Sequence, residues 1–273
     1  MNSGKALGQA SADLLLRLSA EGQSIFTLAE AQAILKGSYA ATAALLGKLA
    51  RKRWLVRLVA GKYAIVPLEA GLEGIAMANR FVIAREVLDP LPYYISHYSA
   101  LELHEMTTQP VTVVYVTVSR QRASQTIATV KYRFVYANPR FFWGFEPMWV
   151  TPQEQAQVSN LEKTILDCAA QPHLCGGIAE LAKGLWLRKD TLDEGRMVEY
   201  AQRLDHKAAV KRVGFLLETY EMGQPETLVA LQTLVNERYA PLDPTLPAEG
   251  PYRARWRLRV NVDPEELRAV IWT

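Results

Sequence analysis

Nine lysines and arginines crowd the first 66 residues: Lys5, Arg17, Lys36, Lys48, Arg51, Lys52, Arg53, Arg57 and Lys62. Only Asp13, Glu21 and Glu30 oppose them, so this segment carries +6 of a whole-chain +3 and leaves −3 for the rest. Clustered cations neutralise phosphates and release their counterions, the electrostatic footprint of nucleic-acid binding. A solvated basic helix end is the plain alternative. Far downstream, Arg253, Arg255, Arg257 and Arg259 alternate with other residues. On a single strand they would share one face, and four like charges there need acidic partners or a second nucleic acid.

Catalytic chemistry is poorly supplied. His97 and His104 are seven apart and would share a helix face, but Glu102 lies off it and no third ligand follows. Buried or capping histidines are the plainer reading. Cys168, His173 and Cys175 match no common zinc spacing and lack a fourth ligand. A Mg²⁺-dependent nuclease needs carboxylates converging at strand ends. The best strand candidate, 111–118, has none, and 126–136 offers only Lys131 and Arg133. Neither a glycine-rich phosphate loop nor a Gly-x-Ser-x-Gly elbow occurs. No catalytic residue, metal ligand or cofactor is therefore expected. The N-terminus does not read as a secretory signal, and no apolar run approaches ~20 residues. Two cysteines alone suit a reducing compartment, so a cytoplasmic protein without a membrane partner is expected.

The elements that would position the N-terminal cations are legible. Leu14, Leu15, Leu16 and Leu18 mark a short first helix. Ser24-Ile25-Phe26 suits a brief strand, and Thr27-Leu28-Ala29-Glu30 fits a capping box opening a second helix. Lys36-Gly37-Ser38 turns the chain, with Ser38 as N-cap of a third helix over about 39–53. On a helical wheel Ala41, Leu45 and Leu49 face inward with Leu46 beside them. Ala40, Ala43, Ala44, Gly47 and Arg51 form a small-residue outer face. Two β-rich runs around Gly61 then read as a hairpin. Helix, helix, turn, helix, hairpin is the plan of a winged helix-turn-helix, whose third helix enters the major groove. Lys36, Lys48, Arg51, Lys52 and Arg53 would flank that helix, and Arg57 and Lys62 would lie on the wing. Ser38, Tyr39, Thr42 and Ala43 sit where base edges are met. The alternative is a protein-docking module that uses the same small-residue face.

A linker and connecting helix are expected over 67–92, and an α+β body over 93–273. Within the body, strands are expected at 93–96, 111–118 and 126–136, and a hairpin around Gly144. Ser159-Asn160-Leu161-Glu162 reads as a capping box for a helix ending before Pro172. Mostly helices follow, as an extension from about residue 188, before the arginine-bearing strand at 252–260. The expected fold class is thus α+β: an N-terminal winged helix-turn-helix and a mixed α/β body with a helical C-terminal part.

Three motifs in order carry a family likeness. After the basic head comes Tyr94-Ile95-Ser96-His97-Tyr98-Ser99-Ala100-Leu101-Glu102-Leu103-His104. Next is Val158-Ser159-Asn160-Leu161-Glu162-Lys163-Thr164-Ile165-Leu166-Asp167, then Arg212-Val213-Gly214-Phe215-Leu216-Leu217-Glu218. Together they resemble the AbiEi family of antitoxin-regulators from abortive-infection, type IV toxin–antitoxin systems, over most of the chain. The resemblance implies a head that binds operator repeats in its own promoter and represses its operon. It further implies a body that counteracts a co-encoded nucleotidyltransferase-type toxin, without requiring a stable complex. The segment beyond about Leu187 is longer than a minimal member would need.

Overall fold

The computed structural model describes residues 7–67, 79–127 and 129–269. Their order begins α1 (Gln9–Ala20), β1 (Ile25–Thr27), α2 (Leu28–Leu35), α3 (Tyr39–Arg51), β2 (Leu55–Val59) and β3 (Lys62–Ile65). It continues α4 (Arg80–Leu88), β4 (Tyr93–Ile95), α5 (His97–Leu103), β5 (Val113–Val118), β6 (Gln125–Ile127), β7 (Val130–Tyr136), β8 (Phe145–Trp149) and β9 (Gln155–Ser159). It closes with α6 (Leu161–Ala170), α7 (Ile178–Leu187), α8 (Glu194–Leu204), α9 (Lys207–Thr219), α10 (Pro225–Thr233), β10 (Ala240–Pro241), β11 (Tyr252–Arg253), β12 (Leu258–Arg259) and α11 (Pro264–Ala269). The class is α+β, as expected. Two compact units divide the chain: residues 1–90 with 124–132 and 150–154, and the remainder.

In the first unit, local chemistry sets the helix starts. Thr27 Oγ1 accepts from the Glu30 amide at 3.2 Å, and the Thr27 amide donates to Glu30 Oε2 at 2.6 Å. This is the expected capping box. Ser38 Oγ accepts from the Ala41 amide at 3.2 Å and opens α3. Strands β1, β3 and β2 lie side by side in that order, all antiparallel. Leu14, Leu18, Phe26, Leu46, Leu49 and Leu55 form the core between helices and sheet. The inward stripe of α3 is Thr42, Leu46 and Leu49, not Ala41, Leu45 and Leu49. Both triplets repeat at helical spacing; the observed stripe is turned by about one residue, so that Leu46, placed beside the expected stripe, is fully buried. Ala41 is exposed and Leu45 is half-buried.

The first unit does not stop at residue 66. Residues 68–78, most of the expected linker, lie outside the described residues, as does Lys5. The expected connecting helix is a packed one: α4 buries Phe81, Val82, Ile83, Ala84, Val87 and Leu88. Asn79 Oδ1 accepts from the Phe81 amide at 2.8 Å while its Nδ2 donates to the Val150 carbonyl, also at 2.8 Å. Tyr132 donates its hydroxyl to the Arg80 carbonyl at 2.9 Å, and Arg85 pairs with Glu154 at 3.0 Å. These long-range bonds draw 124–132 and 150–154 into the unit, which no local pattern predicts.

The second unit is built on a sheet in the order β7, β5, β4, β9, β8. The β-branched strand β5 is central and buries Val114, Val116 and Val118. Strand β4 pairs antiparallel with β5 and parallel with β9, and β9 pairs antiparallel with β8. Three local expectations change. The single strand expected at 126–136 breaks at Thr129 (φ 71°) into β6 and β7. Gly144 turns no hairpin; it precedes β8, whose partner is β9. Asn160, not Ser159, caps α6, accepting from the Lys163 amide at 3.1 Å. Ser159 is already committed to β9.

Helices α6, α7 and α9 carry the second core, with Ile165, Leu166, Leu181, Val213, Leu216 and Trp256 inside. The C-terminal part is not helical throughout: β10, β12 and β11 form a small sheet. The expected arginine strand at 252–260 is therefore two short strands joined by a turn. Trp256 at that turn is fully buried, because Gly214 on α9 leaves the space its ring occupies. Helix α10 ends at Thr233, short of the expected Tyr239. Among the described residues no helix is long and apolar enough to cross a membrane.

Candidate nucleic-acid interface

Helix α3 and the β2–β3 hairpin hold the expected contact residues. Lys36 ends α2 in the left-handed region (φ 53°), where its side chain is exposed. Ser38 sits exposed at the α3 N-terminus, its hydroxyl oxygen accepting the cap bond and its proton still able to donate. Tyr39 is 66% exposed, a large fraction for an aromatic residue. Ala40, Ala41 and Ala44 are exposed beside it, and Ala43 is half-buried. Lys48, Arg51 and Arg53 project from the second half of α3 and the residues just beyond it, with Lys52 half-buried between them. Arg57 is exposed on β2, its Nε donating to the Val59 carbonyl at 3.4 Å.

Two expected contacts are placed elsewhere. Thr42 is only 2% exposed and faces the core, so it is withdrawn from the base-reading set. Lys62 is engaged within its own unit: its ammonium bonds Glu86 Oε2 at 3.0 Å, Asp89 Oδ2 at 3.1 Å and the Glu86 carbonyl at 3.0 Å. Burial alone would lower the Lys62 pKa, but the two carboxylates outweigh it and raise the value. Both acids follow residue 66, beyond the head as the sequence delimits it.

The four downstream arginines do not form a ladder. Arg253 stands opposite Leu258, and Arg259 opposite Tyr252. Arg255 pairs with Glu218, which also accepts the Trp256 indole N–H at 2.6 Å. Arg257 lies over the Tyr239 ring at 5.6 Å and Arg259 over Tyr252 at 5.2 Å. The expected single-faced basic surface is thereby corrected to dispersed cations, of which Arg255, Arg257 and Arg259 are locally partnered.

The histidines follow the plainer reading. His97 is buried, with Nε2 3.0 Å from Gln171 Oε1 and Nδ1 2.9 Å from Ser96 Oγ. An amide oxygen only accepts, so the ring proton sits on Nε2 and Nδ1 accepts from the serine hydroxyl. Burial, chiefly, pushes the His97 pKa down to about 4, which keeps it neutral at pH 7. His104 Nε2 donates to the Ser159 carbonyl at 2.7 Å. Cys168 and Cys175 are both buried and unbridged. Among the described residues no group of three or more His, Cys, Asp or Glu is placed to hold a metal ion.

One constellation escapes the sequence reading. Lys163, 1% exposed, forms an ion pair with Asp167 on the same face of α6 and donates to Tyr94 Oη at 3.3 Å. Tyr94 in turn donates to Asp167 Oδ2 at 3.3 Å. Lysine and aspartate four apart, on a helix that also carries Ile165, Leu166, Cys168 and Ala169, are the available signal, since such a pair is seldom buried without a purpose.

No family model matches the chain, and no curated protein matches it in sequence. Among solved structures, the RV2827C protein from Mycobacterium tuberculosis shares the fold at a TM-score of 0.75. That match covers 98% of this chain and 96% of the other at 15% identity.

Proposed function

We propose that the first unit is a winged helix-turn-helix that binds double-stranded DNA through α3 and the β2–β3 hairpin. The observation that carries this reading is α3 itself. Its outer face pairs small residues with exposed Lys48 and Arg51, while Lys36, Arg53 and Arg57 flank it. A slim helix can lie deep in a major groove while its flanking cations reach phosphates on both sides. Alanine methyls give weak base discrimination, so sequence preference rests on Ser38, Tyr39, Arg51 and DNA shape.

With the three-motif resemblance to AbiEi proteins, the whole chain is read as a transcriptional autorepressor and type IV antitoxin. It represses its own operon and counteracts a nucleotidyltransferase-type toxin encoded beside it. The exposed Tyr39 and the alanine face also suit a protein partner, the second reading. The test is a titration of the purified protein against the DNA upstream of its own gene and against random DNA of equal length. Preference for the upstream DNA, weakened in Arg51→Ala and Arg57→Ala, supports the repressor. Equal affinity for both DNAs, or none, leaves the docking module.

A further inference from the structure

The Tyr94–Lys163–Asp167 constellation forms the floor of a pocket of about 300 Å³ in the second unit. Its walls are apolar: Val135, Phe141, Ala170 and Leu204. Among the described residues Lys163 and Asp167 are the only charged ones lining it, and they neutralise one another. An anionic ligand would meet Asp167 as soon as it met Lys163, and a cation would meet the reverse, so the site suits an uncharged guest.

The remaining polar groups are donors in excess. The His97 Nε2 proton holds Gln171 Oε1, which leaves the Gln171 NH₂ group available in the lining. His206 Nδ1 accepts from the Ala209 amide at 3.1 Å, which places the ring proton on Nε2. Asn138 Oδ1 accepts from the Arg140 amide at 3.1 Å, leaving its NH₂ group as well. No partner for these three donors occurs among the described residues. Tyr136, also in the lining, is 49% exposed and offers a flat aromatic face. Planar shape, no net charge, several acceptors and room for one or two rings describe a nucleobase. We infer that this pocket binds a nucleoside, its base stacked on Tyr136 and its acceptor edge read by Gln171, His206 and Asn138. Every lining residue belongs to the second unit, and the inference does not rest on DNA binding.

The test is calorimetric titration of the full-length protein with adenosine, guanosine, cytidine and uridine, with ribose 5-phosphate as control. At least one nucleoside is expected to bind saturably and ribose 5-phosphate not at all. Tyr136→Ala, at an exposed position that leaves the core intact, should weaken that binding about tenfold. Gln171→Leu, checked for folding by circular dichroism, should weaken it or change which base is preferred. Absence of saturable binding by all four nucleosides overturns the inference. So does ribose 5-phosphate binding as tightly as a nucleoside, and so does binding that neither substitution alters.

Discussion

The cations of α3 and the buried cations of the second unit have opposite fates. Lys48, Arg51 and Arg53 stand in solvent, spread over one helix and its end. Lys163, Lys211 and Arg212 are each less than 5% exposed and are held by groups of their own unit. Arg212 donates to the carbonyls of Ala169 at 2.7 Å, Leu242 at 2.9 Å and Pro241 at 3.1 Å. Burial, offset in part by Asp243, lowers its pKa to about 10, so it stays charged at neutral pH. Lys211 donates to Asn236 Oδ1 at 2.7 Å and to the Arg238 carbonyl. Net charge cannot separate these roles; burial and partners can. A buried cation ties elements together, and an exposed cluster is free to bind.

The largest expected effect lies at the buried pair. Lys163→Met leaves Asp167 buried without its cation and should cost about 3–5 kcal/mol of stability. Chemical denaturation measures it. The double variant Lys163→Met with Asp167→Leu should recover most of that loss; no recovery would mean that packing, not charge, sets the cost. Gly214→Val comes next. A side chain there would fall within the Trp256 ring, so about 3 kcal/mol of overpacking is expected, read as a lower Tm.

A smaller effect follows pH. His97 has a folded pKa of about 4 against an ordinary 6.5, so the unfolded chain binds a proton in that window that the folded chain refuses. This contribution is complete above pH 6.5 and is lost as pH falls toward 4, at roughly 1 kcal/mol per pH unit. His104 and His206, also lowered chiefly by burial, act in the same direction. Denaturation at pH 7.5 and 5.5 should show the protein weaker at 5.5; equal or greater stability at 5.5 would contradict the neutral buried imidazole. The smallest stability effect belongs to Arg51→Ala and Arg53→Ala, within about 0.5 kcal/mol of wild type.

Much of the first unit was legible because its signals are local. The Thr27–Glu30 box, the Ser38 cap, the β-rich runs of β2 and β3 and the glycine turn between them each fit within a few residues. The helix order in the second unit was readable for the same reason. What stayed hidden depends on distant partners. Lys62 looked available until α4 supplied Glu86 and Asp89. The arginine run looked like one strand because its alternation is genuine, but burying Trp256 against Gly214 bends it into a turn. The motif Arg212 to Glu218 is explained by its structural duties: Arg212 gathers carbonyls, Gly214 admits Trp256, and Glu218 takes its indole proton. The pocket's Tyr94, Tyr136, Lys163 and His206 come from separate segments, so no spacing announced it.

The most direct test of this division of cations is the salt dependence of DNA affinity for wild type, Arg51→Ala, Arg57→Ala and, as the second-unit control, Arg253→Ala. If α3 and the hairpin hold phosphates, the slope of log K against log salt should become shallower by about 0.9 for each head substitution. Arg253→Ala should leave it unchanged. Identical slopes for all four proteins, or a loss confined to Arg253→Ala, would contradict the assignment of the basic head as the DNA-binding surface.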